Sequence, residues 1–312
     1  MKLKNIAVFL VVCVLAFFFA GCNNGGTPTG KSPFVGGIVG LEMKFVEGEP
    51  PAEVYDNSTT PFQVNVRIEN KGEFLAAKEN VKISISGIDP KEFYNPIMVM
   101  NPDQDIDASY LDSSGKQVAG GIVYVVFPGF NFSGIVAGRE SRTIRVESCY
   151  QYETSGQASV CIRKDPQATS ETVCNVNEAK PTYSSGSPVQ IENVQEEAAG
   201  SDSIRFSFDV VHQGTGAITV LGSGCSNKVS DKDRLWVEVN LGEYTPQISC
   251  SGITGGTANT GYARLDSMGR VNVRCKVVTT EAASDFEKTV SIKAAFEYKE
   301  HVDQILTIKP LR

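Results

Sequence analysis

A chain of 312 residues, 41 % hydrophobic and 21 % charged, carries enough apolar material to offset the entropy of folding, which excludes intrinsic disorder, and enough length for two domains. Its 29 Gly and 14 Pro follow no short period, which excludes collagen. With 36 acidic residues against 29 basic ones the formal charge is −7, so there is no basic footprint for nucleic acid, and two histidines (His212 and His301) supply little for acid–base or metal chemistry.

Lys2 and Lys4 precede an apolar run over 6–20, too short to cross a bilayer as a helix and of the length of a signal-peptide core. The run closes in Phe19-Ala20-Gly21-Cys22, which resembles the lipobox of prokaryotic lipoproteins, with Phe19 where Leu is usual. The resemblance implies that residues 1–21 are removed and that Cys22 is acylated as the mature N-terminus. Residues 22–35, rich in Asn, Gly, Thr and Pro, read as a flexible tether. Within this stretch, Gly25-Gly-Thr-Pro-Thr-Gly-Lys-Ser32 matches the P-loop pattern letter for letter. A P-loop needs a helix whose N-terminus receives the phosphate, and Pro33 followed by Phe-Val-Gly-Gly cannot begin one, so nucleotide binding is rejected.

Beyond the tether the apolar residues recur every second position. Phe62-Gln-Val-Asn-Val-Arg-Ile68, Val81-Lys-Ile-Ser-Ile85, Phe206-Ser-Phe-Asp-Val210, Leu235-Trp-Val-Glu-Val-Asn-Leu241 and Val271-Asn-Val-Arg-Cys275 all alternate, which predicts half-buried strands. No stretch has the period of a long amphipathic helix, so the class is all-β. The chain also repeats itself. Residues 62–72 align with 206–216 at an offset of 144, Leu111-Asp-Ser-Ser-Gly-Lys116 with Leu265-Asp-Ser-Met-Gly-Arg270 at 154, and 143–152 with 289–298 at 146. Two tandem β-sandwich domains are expected, 36–165 and 186–312, separated by a polar linker over 166–185.

The strand ending in Glu69-Asn-Lys-Gly72, with the next strand ending near Gly87, resembles the immunoglobulin-like CARDB-type adhesion modules. Together with Pro50-Pro-Ala-Glu-Val-Tyr55 and the lipobox it is similar to archaeal surface lipoproteins with tandem sandwiches; the second copy departs from the pattern with Gln213-Gly-Thr-Gly216. The resemblance implies surface binding or scaffolding rather than a defined reaction.

Cys13 falls in the export segment and Cys22 at the lipobox, which leaves Cys149, Cys161, Cys174, Cys225, Cys250 and Cys275, an even set that indicates disulfides. Thr154-Ser-Gly156 suits a three-residue hairpin loop and places Cys149 opposite Cys161. Cys250–Cys275 across neighbouring strands and Cys174–Cys225 complete the expected pairing. No C-x-x-C spacing for zinc is present. Asp103, Asp105 and Asp107 open like a calcium loop, but Ala108 and Ser114 stand where an EF-hand needs Gly and Glu, leaving a looser Ca²⁺ loop or a solvated acidic turn. Phe127, Phe130 and Phe132 surround a turn that either caps a core or offers a partner-binding loop. Asn57 and Asn131 begin glycosylation sequons. Trp236 and His212 read as core residues and His301 as close to a hairpin tip.

The sequence shows no G-x-S-x-G, no H-E-x-x-H and no Cys–His nucleophile pair. The function expected is a non-catalytic protein without a cofactor, lipid-anchored on the extracytoplasmic face of the membrane, for adhesion, scaffolding or envelope assembly with a protein or glycan partner. The alternatives are a tethered glycan- or Ca²⁺-binding module using loops 101–108 and 127–134, and more remotely an exported hydrolase.

Overall fold

Period-two alternation becomes strand almost throughout the computed structural model, which describes residues 30–94, 96–168 and 173–311. The first half of the chain contributes β1 (Leu41–Phe45), β2 (Glu53–Tyr55), β3 (Phe62–Asn70), β4 (Val81–Ser86), β5 (Val99–Met100), β6 (Tyr110–Leu111), β7 (Gln117–Val118), β8 (Ile122–Phe130) and β9 (Glu140–Ile162). The second half contributes β10 (Glu178–Ala179), β11 (Thr182–Ser184), β12 (Val189–Ala198), β13 (Ser203–His212), β14 (Ala217–Thr219) and β15 (Arg234–Asn240). It ends with β16 (Ile248–Ser251), β17 (Thr260–Arg264), β18 (Arg270–Val278) and β19 (Phe286–Lys309). Among the described residues the helices are short 3₁₀ turns, and none is long and apolar enough to cross a membrane.

The fold is an all-β sandwich, as the alternation predicts, and its sheets are antiparallel except where β2 pairs in parallel with β19. One sheet has the order β1-β3-β8 and another β10-β12-β13-β18-β16; the largest runs β17-β15-β19-β9-β4-β5 and is joined by β2, β11 and β14. Its spine is the antiparallel pair β9–β19, in which all 23 residues of β9 have a partner, from Glu140 opposite Ile308 to Ile162 opposite Phe286. At about 3.4 Å per residue this ladder is about 75 Å long. Even-numbered residues of β9, from Ile144 to Val160, point inward and are buried. Near the centre they meet the three-stranded sheet, where Leu41 donates its backbone N–H to the Tyr150 hydroxyl at 3.1 Å. Further along they meet the five-stranded sheet, where Gly156 lies against Ile191. One continuous sheet therefore serves as the common layer for both halves, and Ser32–Arg312 form one compact unit.

The two Leu-Asp-Ser segments fold into the same turn. Asp112 Oδ1 accepts from the backbone N–H of Ser114 and Lys116, and Asp266 Oδ1 accepts from those of Met268 and Arg270, all at 2.8–3.0 Å. Gly115 and Gly269 take the left-handed conformation (φ +78° and +72°), which a side chain there would oppose.

The structure overturns the expected hairpin at Thr154-Ser-Gly156: β9 passes straight through it. Gly156 serves close approach instead, since a Cβ there would sit 2.7–2.9 Å from the Ile191 side chain. Thr154 is buried with its hydroxyl bonded to Ser187 Oγ at 2.7 Å and the Val189 carbonyl at 2.8 Å. His301 accordingly lies within β19, opposite Glu147, and not at a hairpin tip. Residues of the expected linker form β10 and β11, which pair with β12 and β9.

Candidate functional site

The polar chemistry of the interior concentrates at the seam, where the two overlying sheets meet the β9–β19 ladder. Tyr150 opposite Tyr298 and Tyr152 opposite Phe296 form a square of buried rings with centroids 5.7–6.5 Å apart. These rings are inward because they share the even phase of both strands, and each hydroxyl finds a partner at the rim. Tyr152 donates to Asn70 Oδ1 at 2.8 Å, while the Tyr298 hydroxyl accepts from Gly216 N–H at 2.6 Å and sits 3.2 Å from His212 Nε2. Burial raises the Tyr298 phenol to about 12 and holds the His212 imidazole below its usual value.

Two carboxyl groups share the interior phase of their strands, and burial raises both to about 7. Glu300 lies at the seam, where it accepts from the Tyr150 hydroxyl at 3.3 Å. It lines a pocket of about 100 Å³ with Ile38, Val39, Gly40, Pro188, Gly214 and Tyr298. Glu196 lies past the β-bulge of β12 between Glu192 and Gln195. Its carboxylate accepts Cys161 N–H at 2.9 and 3.0 Å and pairs with Lys180 Nζ at 3.1 Å. Lys180 also donates to the Asn175 carbonyl and to Glu178, so this knot clasps residues 175–180 onto the second half. Above it opens a polar cleft of about 570 Å³ lined by Asn177, Gln195, Glu197, Arg205, Ser207 and Arg274. An acid at the apolar phase of a strand is the sequence signal that identifies both Glu196 and Glu300.

The six cysteines beyond residue 30 are all disulfide-bonded, but with different partners from those expected. Cys149 bonds Cys225, Cys161 bonds Cys174, and Cys250 bonds Cys275 as expected across β16 and β18. Cys149 and Cys161 are twelve steps apart on one extended strand, about 40 Å, whereas a disulfide needs Cα atoms within about 7 Å. Cys149 points to the outer face and fastens the 220–226 loop there. The same loop is gripped by Glu297, which accepts from Gly222 N–H, Ser223 Oγ and Cys225 N–H, each at 2.8 Å. Among the described residues the Cys149 and Cys225 sulfurs and a Glu297 oxygen lie within 4.8 Å of one another, but sulfurs bonded to each other offer no thiolate to a metal.

Phe127, Phe130 and Phe132 do not form an exposed binding loop. All three are buried (0, 0 and 3 % exposed): Phe130 and Phe132 pack with Phe62 and Phe93 at the end of the first half, and Phe127 lies opposite Val64 in the β3–β8 pairing. Asp103, Asp105 and Asp107 are exposed because Pro102 and Ile106 take the inward positions of an extended segment. Asp105 caps Lys78 N–H at 2.9 Å, and no cluster of three ligand-bearing residues that includes these aspartates occurs among the described residues. Asn57 is exposed, whereas Asn131 uses its amide nitrogen to bond the Ser58 carbonyl at 3.1 Å. Trp236 is on the outer face, half-buried against Tyr262 at 4.9 Å, and not in the core. Its odd phase beside Leu235 and Val237 dictates this. Cys22, residues 1–21 and most of the Gly25–Ser32 pattern lie outside the described residues.

No family model matches the chain, and no curated protein matches it either. Among solved structures, native E. coli alpha-2-macroglobulin aligns with 86 % of this chain at 10 % identity and a TM-score of 0.14, the chain spanning only 17 % of that protein. The triple jelly-roll protein of an archaeal virus turret aligns with 88 % of this chain, over 92 % of its own length, at 9 % identity and a TM-score of 0.13.

Proposed function

We propose that the chain is a non-catalytic, lipid-anchored protein of the cell envelope, a duplicated immunoglobulin-like sandwich that acts as a rigid scaffold or adhesive spacer. The observation that carries this reading is the uninterrupted β9–β19 ladder, because a shared spine of about 75 Å removes the hinge that two sandwiches joined by a linker would have. Three disulfides fasten loops and an edge strand around it, which suits an oxidising compartment outside the cytoplasm. The lipobox-like Phe19-Ala-Gly-Cys22 supplies the anchor in this reading. Intact-mass analysis of the protein extracted from membranes tests it: a mature chain beginning at acylated Cys22 is expected, and an unmodified Cys22 or retained residues 1–21 contradicts the anchoring.

A second reading, a tethered glycan-binding module, draws on the polar cleft at Arg205 and Arg274 instead of loops 101–108 and 127–134, because amide, carboxylate and guanidinium groups line its wall. A glycan array separates the two, with signal lost in R205A/R274A supporting binding and a blank array leaving the spacer.

A further inference from the structure

We propose that the seam pocket beside Glu300 is a binding site for a primary alkylammonium group, such as the end of a lysine side chain. The pocket is walled mostly by apolar and aromatic groups, with Gln213 and Thr215 also at its edge, and contains a single carboxylate. Ile38 and Val39 form the lip (47 and 42 % exposed), Pro188 and the Tyr298 ring the sides, and Glu300 the floor. A carboxylate has about four acceptor positions, and the bond from Tyr150 OH fills one. Among the described residues no cation faces Glu300. On β1, Glu42 opposes it with like charge and Lys44 is bonded to Glu42; Lys71 is held by Glu69. On β13, His212 faces the Tyr298 hydroxyl. Among the described residues the phenols of Tyr150, on β9, and of Tyr298, on its own strand, interact with the group.

A position equivalent by sequence shows that the fold does not require an acid here. At the offset of 146 residues that relates β9 to β19, Glu300 corresponds to Thr154, and their cross-strand partners Ser148 and Ala294 correspond as well. Thr154 is buried and satisfied by two hydrogen bonds within the chain. Glu300 is a charge-bearing group with spare acceptors in the same framework, and Ser148 opposite it is buried with an unpartnered hydroxyl. A carboxylate with open acceptor positions facing a small pocket is matched by a cationic donor. A volume of about 100 Å³, room for about three waters, admits an ammonium and its first methylenes but confines a planar guanidinium.

The inference is independent of the scaffold reading, and it is tested by titrating the full chain with n-butylammonium and with the capped peptide acetyl-Gly-Lys-Gly-amide at pH 8, followed by NMR. Saturable binding of either probe that weakens at least tenfold in E300Q and in E300T is expected, with the arm that binds distinguishing free amines from protein lysines. Wild-type affinity should also fall about tenfold from pH 8 to pH 6 as Glu300 takes up a proton. Binding of neither probe, or binding undiminished in both variants and flat with pH, overturns the proposal.

Discussion

Gln151 and Glu297 face each other across the β9–β19 ladder and stand 146 residues apart, the offset that separates 143–152 from 289–298. The pair therefore sits on a local two-fold axis: Tyr150 faces Tyr298, and Tyr152 faces Phe296, on either side of it. The inward residues next to this point are aromatic on both strands, which makes the seam a square of aromatic rings. The axis is broken at the pair itself, since Glu297 grips the 220–226 loop with three hydrogen bonds.

That grip predicts the behaviour of Glu297→Gln. A glutamine can accept through one atom only, so the donors at Cys225 and Ser223 lose a charged acceptor. A loss of about 2 kcal/mol is expected. Hydrogen exchange at the Gly222 and Cys225 amides should speed up at least tenfold, while the Tyr150–Tyr298 region stays protected.

The contribution of Glu196 and Glu300 to stability should fall as pH rises from about 4.5 to about 7. Glu196 and Glu300 have raised values near 7 in the folded chain against an ordinary value of 4.5, so across this window the folded state holds more protons than the unfolded one. Each group costs at most about 3 kcal/mol above pH 7. Glu300→Gln should match the wild type near pH 4.5 and exceed it at pH 8, as read from urea unfolding at both pH values; a wild-type-like pH slope in the variant would contradict the assignment.

Gly156→Ala should be destabilising despite the better strand propensity of alanine. Its Cβ would press on the Ile191 side chain, and overpacking of this kind costs about 1–3 kcal/mol. In a double-mutant cycle with Ile191→Ala, which removes the clashing Cγ1 and Cγ2 atoms, the two changes together should cost less in thermal unfolding than the sum of the single variants.

Non-reducing peptide mapping should recover Cys149–Cys225, Cys161–Cys174 and Cys250–Cys275, with no peptide joining Cys149 to Cys161. Removing the first bridge in C149A/C225A should cost about 2–4 kcal/mol, because it closes the longest loop.

The strands were legible because alternation is a local property: residues 62–68, 81–85, 206–210 and 271–275 each fall within an observed strand. The same alternation marks Trp236 as outward and Glu196 and Glu300 as inward, so their placement was also in the sequence. What sequence could not supply was long-range. Thr154-Ser-Gly156 has turn-forming residues, yet Gly156 answers to Ile191 and Thr154 to Ser187, contacts made 30 or more residues away. The cysteine partners were hidden for the same reason, since Cys149 meets a loop 76 residues downstream.

The continuous spine is tested most directly by the distance between spin labels on Thr143 and Thr289, which are exposed positions near opposite ends of the ladder. Thr289 pairs with Ser159, sixteen steps from Thr143, so pulsed dipolar spectroscopy should give one narrow distribution near about 54 Å. A broad distribution, or a principal distance far below that value, would show two sandwiches that move against each other and would contradict the account.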